Sequence, residues 1–387
     1  MYKPNYSISN NLLKYIGRIE ACKEIITNAP LVPAWEARFR EEAAVRSVHH
    51  GTHLEGNEIT KDQIEKLMRL DVGQDEEAGQ VAQDAGIYAR HRDVQEIINY
   101  RSVLEWIDTH ATDGRGFALF TEETLKKLHE LVVDKLGPED TSSSSVSLIS
   151  QSLPISQPTS QSTNAYRTQQ VVVRSVESGE VAFRPPVAID VPFLIQEFFT
   201  WLNSRESQDV HPVIRAGIVH YEFVRIHPFI DGNGRTARAL ALLILYSEGY
   251  DVKRFFSLEE YFDKDVQEYY RAILSVQESE TQNMTYWLEY FSYGLAIELD
   301  RVKEQVLKLS QDLKLKQKLG TQVALSERQI ILLEILQRQE QITTAEANMA
   351  LPMISTDTIL RDIKDLIEKG IIKKEGVTKG VVYTLVD

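Results

Sequence analysis

The segment His227 to Arg238, HPFIDGNGRTAR, gathers a histidine, an aspartate, two glycines and two arginines just ahead of an apolar run. Gly232 and Gly234 permit positive φ and close approach of the backbone to a ligand. Successive N–H groups at Gly232, Asn233, Gly234 and Arg235 can then point into one concavity at the start of the next helix, a ready anion site. Arg235 adds charge beside it. Arg238, three residues on, lies on the same helix face and reaches the same anion. Asp231 is a hard oxygen ligand of the kind Mg²⁺ takes together with phosphate oxygens. His227 is the nearby side chain whose ordinary pKa suits a general base near neutrality. An anion nest, a metal ligand and a base are the parts of a phosphoryl or nucleotidyl transferase.

Two other readings compete. A glycine turn capping a buried helix needs neither the histidine nor the convergence of Asp231, Arg235 and Arg238. Gly232-x-Gly234-x-x-Ala237, with Asp251 downstream, also fits a dinucleotide fingerprint. That fingerprint requires a strand before the glycines, and this chain has none there and no strand–helix alternation. A phosphate-binding loop of the G-x-x-x-x-G-K-[ST] type is absent.

The elements around the loop read as helices. Ala216, Val219, Phe223 and Ile226 recur at helical spacing over His211–Arg225. A strongly apolar helix runs from Arg235 to about Ser247 and stops at Gly249. Upstream, Thr60 and Thr121 start helices, the second with Glu122 and Glu123 favourably placed at its positive end. Val94, Ile97, Ile98, Val103, Leu104 and Ile107 mark another long helix. Residues 139–165 are rich in Ser, Gln, Thr and Pro and read as a mobile loop or insertion. Val171–Val176 and Val181–Phe183 read as a hairpin around Glu177-Ser178-Gly179-Glu180. Asp190 starts a further helix with Phe193, Leu194, Phe198 and Trp201 on its apolar side. A long helix covers about 285–318.

At the C-terminus, Ser326, Thr343 or Thr344, and Ser355 or Thr356 open three helices. Two strands joined by a glycine-containing turn follow. That is the order of a winged helix-turn-helix, whose third helix, Ser355–Lys369, would enter the major groove. Acids outnumber basic residues ten to eight over 326–387. Only Lys369–Lys379 is locally basic, so contact with protein is as good a reading as contact with DNA.

The 387 residues exceed one ordinary core, with 43% hydrophobic and 26% charged residues. A net charge of -14 does not favour nucleic-acid binding but allows a small basic pocket for a nucleotide. Cys22 is the single cysteine, so no intrachain disulfide forms. Neither a signal peptide nor a long apolar span is apparent, and a cytoplasmic protein without a membrane segment is expected.

HPFIDGNGRTAR resembles the signature of Fic-domain proteins, H-x-F-x-[D/E]-G-N-G-R-x-x-R, with every fixed position filled. The resemblance covers roughly residues 40 to 290. It implies a mainly α chain: a helical Fic fold with a β-hairpin flap, followed here by a C-terminal winged-helix (α+β) domain. It implies transfer of AMP from ATP, with Mg²⁺, to a Ser, Thr or Tyr hydroxyl of a protein. His227 would deprotonate the hydroxyl, Phe229 would fix the loop, and Asp231 would hold Mg²⁺. Gly232, Asn233 and Gly234 would form the nest, Arg235 would meet the outer phosphates and Arg238 the γ-phosphate. The flap would align a target segment by strand addition. Tyr269 and Tyr270 resemble the segment that lines the adenine pocket; their other reading is as core aromatics.

HHGTHLEGN, His49 to Asn57, resembles the inhibitory helix of the self-inhibited Fic class, [S/T]-x-x-x-E-[G/N], with Gly51 at its first position. The resemblance implies that Glu55 pairs with Arg238 and blocks the γ-phosphate, one guanidinium serving either carboxylate or phosphate. His49 and His53, at i and i+4, could also face one metal. No third ligand pattern accompanies them, and packing or polar surface is the simpler reading. His129 and His220 are read as structural.

The domains expected are 1–95, a helical region with the inhibitory motif; 96–290, the catalytic core, with the flap at about 166–186 and the insertion at about 139–165; 291–325, a helical linker; and 326–387, the winged helix-turn-helix. The partners expected are a target protein and the chain itself through automodification, with DNA or protein contact at the winged helix. A homodimer fits the class. Two alternatives stay open: a nucleotide-sensing transcriptional regulator, and removal of AMP by the same site.

Overall fold

The computed structural model describes residues 2–70, 77–111, 120–136, 165–174, 181–318, 325–339, 341–352, 354–376 and 381–386. It is mainly α-helical and divides into two compact units: Met1–Asn28 with Ala37–Glu304, and Ala29–Glu36 with Gln305–Asp387.

The helices up to residue 318 are α1 (Asn10–Asn28), α2 (Pro33–His53), α3 (Lys61–Arg69), α4 (Ala78–Asp84), α5 (His91–His110), α6 (Glu122–Val133), α7 (Val191–Leu202), α8 (Arg205–Gln208), α9 (Pro212–Ile226), α10 (Asn233–Ser247), α11 (Leu258–Lys264), α12 (Val266–Glu278) and α13 (Thr285–Lys318); all belong to the first unit except the start of α2, through Glu36, and the end of α13, from Gln305. Strand β1 (Val173–Arg174) pairs antiparallel with β2 (Val181–Phe183).

Helix α10 is the centre of this unit. Arg235 through Tyr246 are all buried, so the helix is covered on every side, as an apolar helix at the middle of a core must be. It packs on α9, α6 and α5. Its end is set by Gly249, whose φ of 75° lets the Gly249 N–H bond Tyr246 O and the Tyr250 N–H bond Leu245 O. Thr121 caps α6 through its side chain, and Thr60 starts α3 in a capping box with Gln63.

One expectation about α7 is corrected. Phe193 is 60% exposed. The buried face is Val191, Ile195, Phe198, Trp201 and Leu202. The helix starts at Val191, so steps of four, three and four from that residue define the inward stripe, and Phe193 falls outside it. Of the described residues in the expected strand Val171–Val176, Val173 and Arg174 are paired. Its last two residues, the hairpin turn and all but the last residue of the expected insertion at 139–165 lie outside the described residues.

The second unit holds α14 (Glu327–Gln339), β3 (Gln341–Ile342), α15 (Thr344–Ala350), α16 (Thr356–Glu368), β4 (Ile372–Glu375) and β5 (Val382–Leu385). The sheet order is β3-β5-β4, antiparallel throughout. Leu332, Leu336, Ile359, Ile363, Leu366 and Tyr383 are in its core. Thr343 caps α15 in a capping box with Glu346, and Ser355 caps α16, where the sequence placed the starts. Strand β3 was not expected. Its two residues are too short a run to show alternation.

Candidate active site

His227 ends α9 in the left-handed conformation, φ 50° and ψ 61°, with its N–H on Phe223 O at 3.0 Å. A non-glycine residue there stores about 1 to 3 kcal/mol of strain. The geometry aims the ring back along the helix, so that Nδ1 lies 3.3 Å from Val224 O. That contact assigns the proton to Nδ1 and leaves the lone pair on Nε2. Nε2 is buried and has no hydrogen-bond partner among the described residues. Burial pushes the ring pKa down to about 4, and the charge of Arg167 acts in the same direction. The imidazole is therefore neutral near pH 7.

The loop after it is clipped from inside. The Asn233 side chain accepts from Phe229 N–H at 3.0 Å and donates to Phe229 O at 2.9 Å. Phe229 is buried and stacks on His129, ring centroids 3.5 Å apart. His129 Nε2 in turn lies 3.0 Å from Asp231 O. His129 is structural, and what it supports is this loop. Gly232 has φ 75°, and a Cβ there would come within 2.9 Å of both Val132 and Val133. Only glycine meets both demands.

The arginines face acids. Arg238 Nη2 donates to Glu55 Oε1 and to Gly51 O, each at 2.8 Å. Glu55 is delivered by the end of α2: Gly56, at φ 89°, bonds His53 O, and Asn57 N–H bonds Thr52 O, a Schellman motif. Asn57 then fastens the chain to α5 through Asp93 O, 2.9 Å, and Glu96, 3.2 Å. The Glu55 carboxylate lies against Gly234, where any Cβ would collide with it. An anion thus already sits at the N-terminus of α10, where first-turn N–H groups lack helical acceptors. Burial alone would lower the Arg238 pKa; Glu55 and the neighbouring tyrosines raise it instead.

Arg235 is 3.3 Å from Glu96 and 3.4 Å from Asp231. Asp231 also takes Arg92 at 2.5 Å. Burial would raise the Asp231 pKa, but Arg235 and Arg92 hold it below the usual carboxylate value. It is an ionised, hard oxygen donor at the mouth of the nest, which suits Mg²⁺. Tyr269 is buried, with its hydroxyl 3.1 Å from His220 Nε2. Burial raises the hydroxyl pKa of Tyr269 to about 12 and that of Tyr270 further, and both rings feel Glu55 and Arg238. The two tyrosines border the Glu55–Arg238 pair.

His49 and His53 do not converge on a metal. Their rings stack, and His53 Nδ1 is bound to Asp263 at 2.8 Å. Among the described residues no group of three or more His, Cys, Asp or Glu could hold a metal ion. His50 also meets Asp263, at 2.7 Å, while Ser47 and Arg46 reach Glu259 and Glu260 at 3.1 and 2.5 Å. So α2 is fastened to α11 along its last two turns. Sequence reasoning missed Asp263, Arg92, Glu96 and Arg167. Of these, Arg92 and Glu96 had a signal: opposite charges at i and i+4 on one helix, which pair at 3.2 Å.

Scaffold and loop together define a helical protein with a free imidazole lone pair and an anion site at the start of a buried helix. Residues 119–245 match the Fic/DOC family. Over that stretch the chain is similar to Fic domains. It is 31% identical over 213 residues to the protein adenylyltransferase Fic of Drosophila grimshawi, covering 55% of this chain and 35% of that one. For the Drosophila virilis protein of the same name the values are 30%, 55% and 35%. This chain spans about a third of the length of these curated relatives. Among solved structures, a Fic family protein from Desulfovibrio desulfuricans superposes with a TM-score of 0.62 at 19% identity, over 100% of this chain and 98% of that one. A Fic domain containing signaling protein from Bacteroides thetaiotaomicron gives 0.54 at 21%, over 78% and 98%. These two likenesses concern the fold.

Proposed function

We propose that this protein transfers AMP from ATP to a Ser, Thr or Tyr hydroxyl of a protein, and that Glu55 restrains it. The observation that carries this reading is the buried Nε2 of His227, unpartnered among the described residues, in the loop that leads into Arg235 and Arg238. A nucleotide sensor needs the nest and the arginines but no base. The matched relatives are named protein adenylyltransferases, which supports AMP as the group moved.

In the reaction, Nε2 takes the proton of the target hydroxyl. The hydroxyl oxygen bonds the α-phosphorus, the bond from that phosphorus to the bridging oxygen breaks, and pyrophosphate leaves. The first turn of α10 holds phosphate oxygens, with Arg235 and Arg238 beside them. Asp231 would hold Mg²⁺, which supplies positive charge to the phosphates. Tyr269 and Tyr270 would flank the adenine, and β1 with β2 would receive the target segment edge to edge.

Restraint follows from the pair of Glu55 with Arg238. A carboxylate on that guanidinium and against Gly234 uses the cation and the space that the terminal phosphate needs. The second unit, with its three helices and antiparallel sheet, supports a winged helix that recruits a protein or DNA.

The test is the fate of two labels. The Glu55→Gly variant, given Mg²⁺ and ATP labelled at the α- or the γ-phosphate, should retain only the α label on protein. Retention of the γ label would overturn AMP transfer in favour of phosphate transfer.

A further inference from the structure

Arg167 joins the flap to the loop that carries the base. It is 2% exposed, and the bonds of its side chain in the described residues all go to backbone carbonyls. On the loop side, Nε donates to His227 O at 2.7 Å and Nη2 to Ile226 O at 3.4 Å. On the flap side, Nη1 donates to Gln169 O at 3.2 Å and Nη2 to Pro186 O at 2.5 Å. Gln169 precedes β1 and Pro186 follows β2, so one planar guanidinium holds both legs of the hairpin. The backbone N–H of Arg167 also donates to Pro228 O at 2.8 Å. The peptides on both sides of the His227–Pro228 junction are therefore fixed by a single residue.

A buried cation without an acid partner is costly. Here its charge lies at the C-terminal end of α9, where the helix dipole is negative and the last carbonyls lack helical donors. The same bonds stabilise the left-handed conformation of His227. A core arginine needs only some partners; this one takes carbonyls from three separate segments, and those are the segments that must be mutually placed.

We propose that Arg167 is a positioning residue that sets the distance between a target hydroxyl lying on the flap and Nε2 of His227. The proposal rests on the AMP-transfer reading above. Arg167 does not reach the nucleotide site through any of these bonds, so its loss should leave ATP binding unchanged. Misplacing reacting groups by about 1 Å costs on the order of 10²-fold in rate.

The experiment compares Glu55→Gly with Glu55→Gly/Arg167→Lys and Glu55→Gly/Arg167→Gln. Three quantities are read: the maximal rate of automodification with α-labelled ATP, ATP affinity by calorimetry, and melting temperature. Lysine keeps the charge but is a point donor that cannot span four carbonyls. The expected result is a fall of about 10²-fold in maximal rate for both double variants, with ATP affinity unchanged. Gln also removes the positive charge beside His227, so its acid limb should move to higher pH, while Lys leaves the limb in place. A Lys variant at the parental rate overturns the proposal. So does a rate loss matched by weaker ATP binding, or by a lower melting temperature in both variants with no change in either pH profile. No transfer by Glu55→Gly itself overturns the functional reading, and this proposal with it.

Discussion

Glu55 Oε1 lies 2.8 Å from Arg238 Nη2 and presses against Gly234. One carboxylate thus covers both the cation and the glycine at the start of α10. Gly234 is then needed twice, for the acid now and for a phosphate in its place. In a Glu55→Gly background, Gly234→Ala should weaken ATP binding at least about tenfold, since a Cβ would fill the nest and press on the Arg238 guanidinium. Calorimetric titration with ATP checks this; unchanged affinity would place the phosphates elsewhere.

Gly51 stands where the resembled motif has Ser or Thr, and the structure supplies the reason. A Cβ at Gly51 would come within 2.7 Å of the Tyr100 ring. That ring is buried and its hydroxyl is bound to Glu259 at 2.9 Å, so it cannot move aside cheaply. Gly51→Ser should destabilise the protein by roughly 1 to 3 kcal/mol, as overpacking does. Denaturant unfolding measures it, and a neutral effect would mean that α2 can shift on α5.

Asp263 is the anchor of the helix that presents Glu55. Burial would raise its pKa, but bonds from His50 and His53 hold it low. Removing the carboxylate leaves both histidines without that partner, four residues or fewer from the end of α2. Asp263→Ala should raise automodification above wild type yet below Glu55→Gly. A rate equal to wild type would show that the Schellman turn and Asn57 alone hold Glu55 in place.

The base has a pH signature. A histidine with an ordinary pKa gives an acid limb near about 6.5. Burial pushes His227 to about 4. The unprotonated form is the active one, and it persists as pH falls until that lower value is reached. For Glu55→Gly, kcat/KM should stay level from about pH 8 to about pH 6 and fall only at more acid pH. A limb near 6.5 would mean that the free imidazole is solvated in solution.

Much of this site was legible because its signals are local. The glycines, Asp231 and the two arginines lie within one turn and the next, and caps such as Thr121, Thr343 and Ser355 act over three residues. Gly249 likewise ends α10 by its own conformation. What was illegible depends on contacts far apart in the chain. Arg92 meets Asp231 across 139 residues, and Arg167 meets His227 across 60. No spacing rule links such pairs. Phe193 was misplaced for a related reason: its apolarity is real, but which face turns inward depends on where α7 begins.

Central to the account is that Glu55 holds Arg238 away from a substrate on which His227 acts. Intact-protein mass spectrometry after incubation with Mg²⁺ and ATP tests it most directly, on wild type, Glu55→Gly and Glu55→Gly/His227→Ala. The expected result is an added AMP on Glu55→Gly, less on wild type and none on the double variant. Equal modification of wild type and Glu55→Gly, or modification that survives His227→Ala, would contradict it.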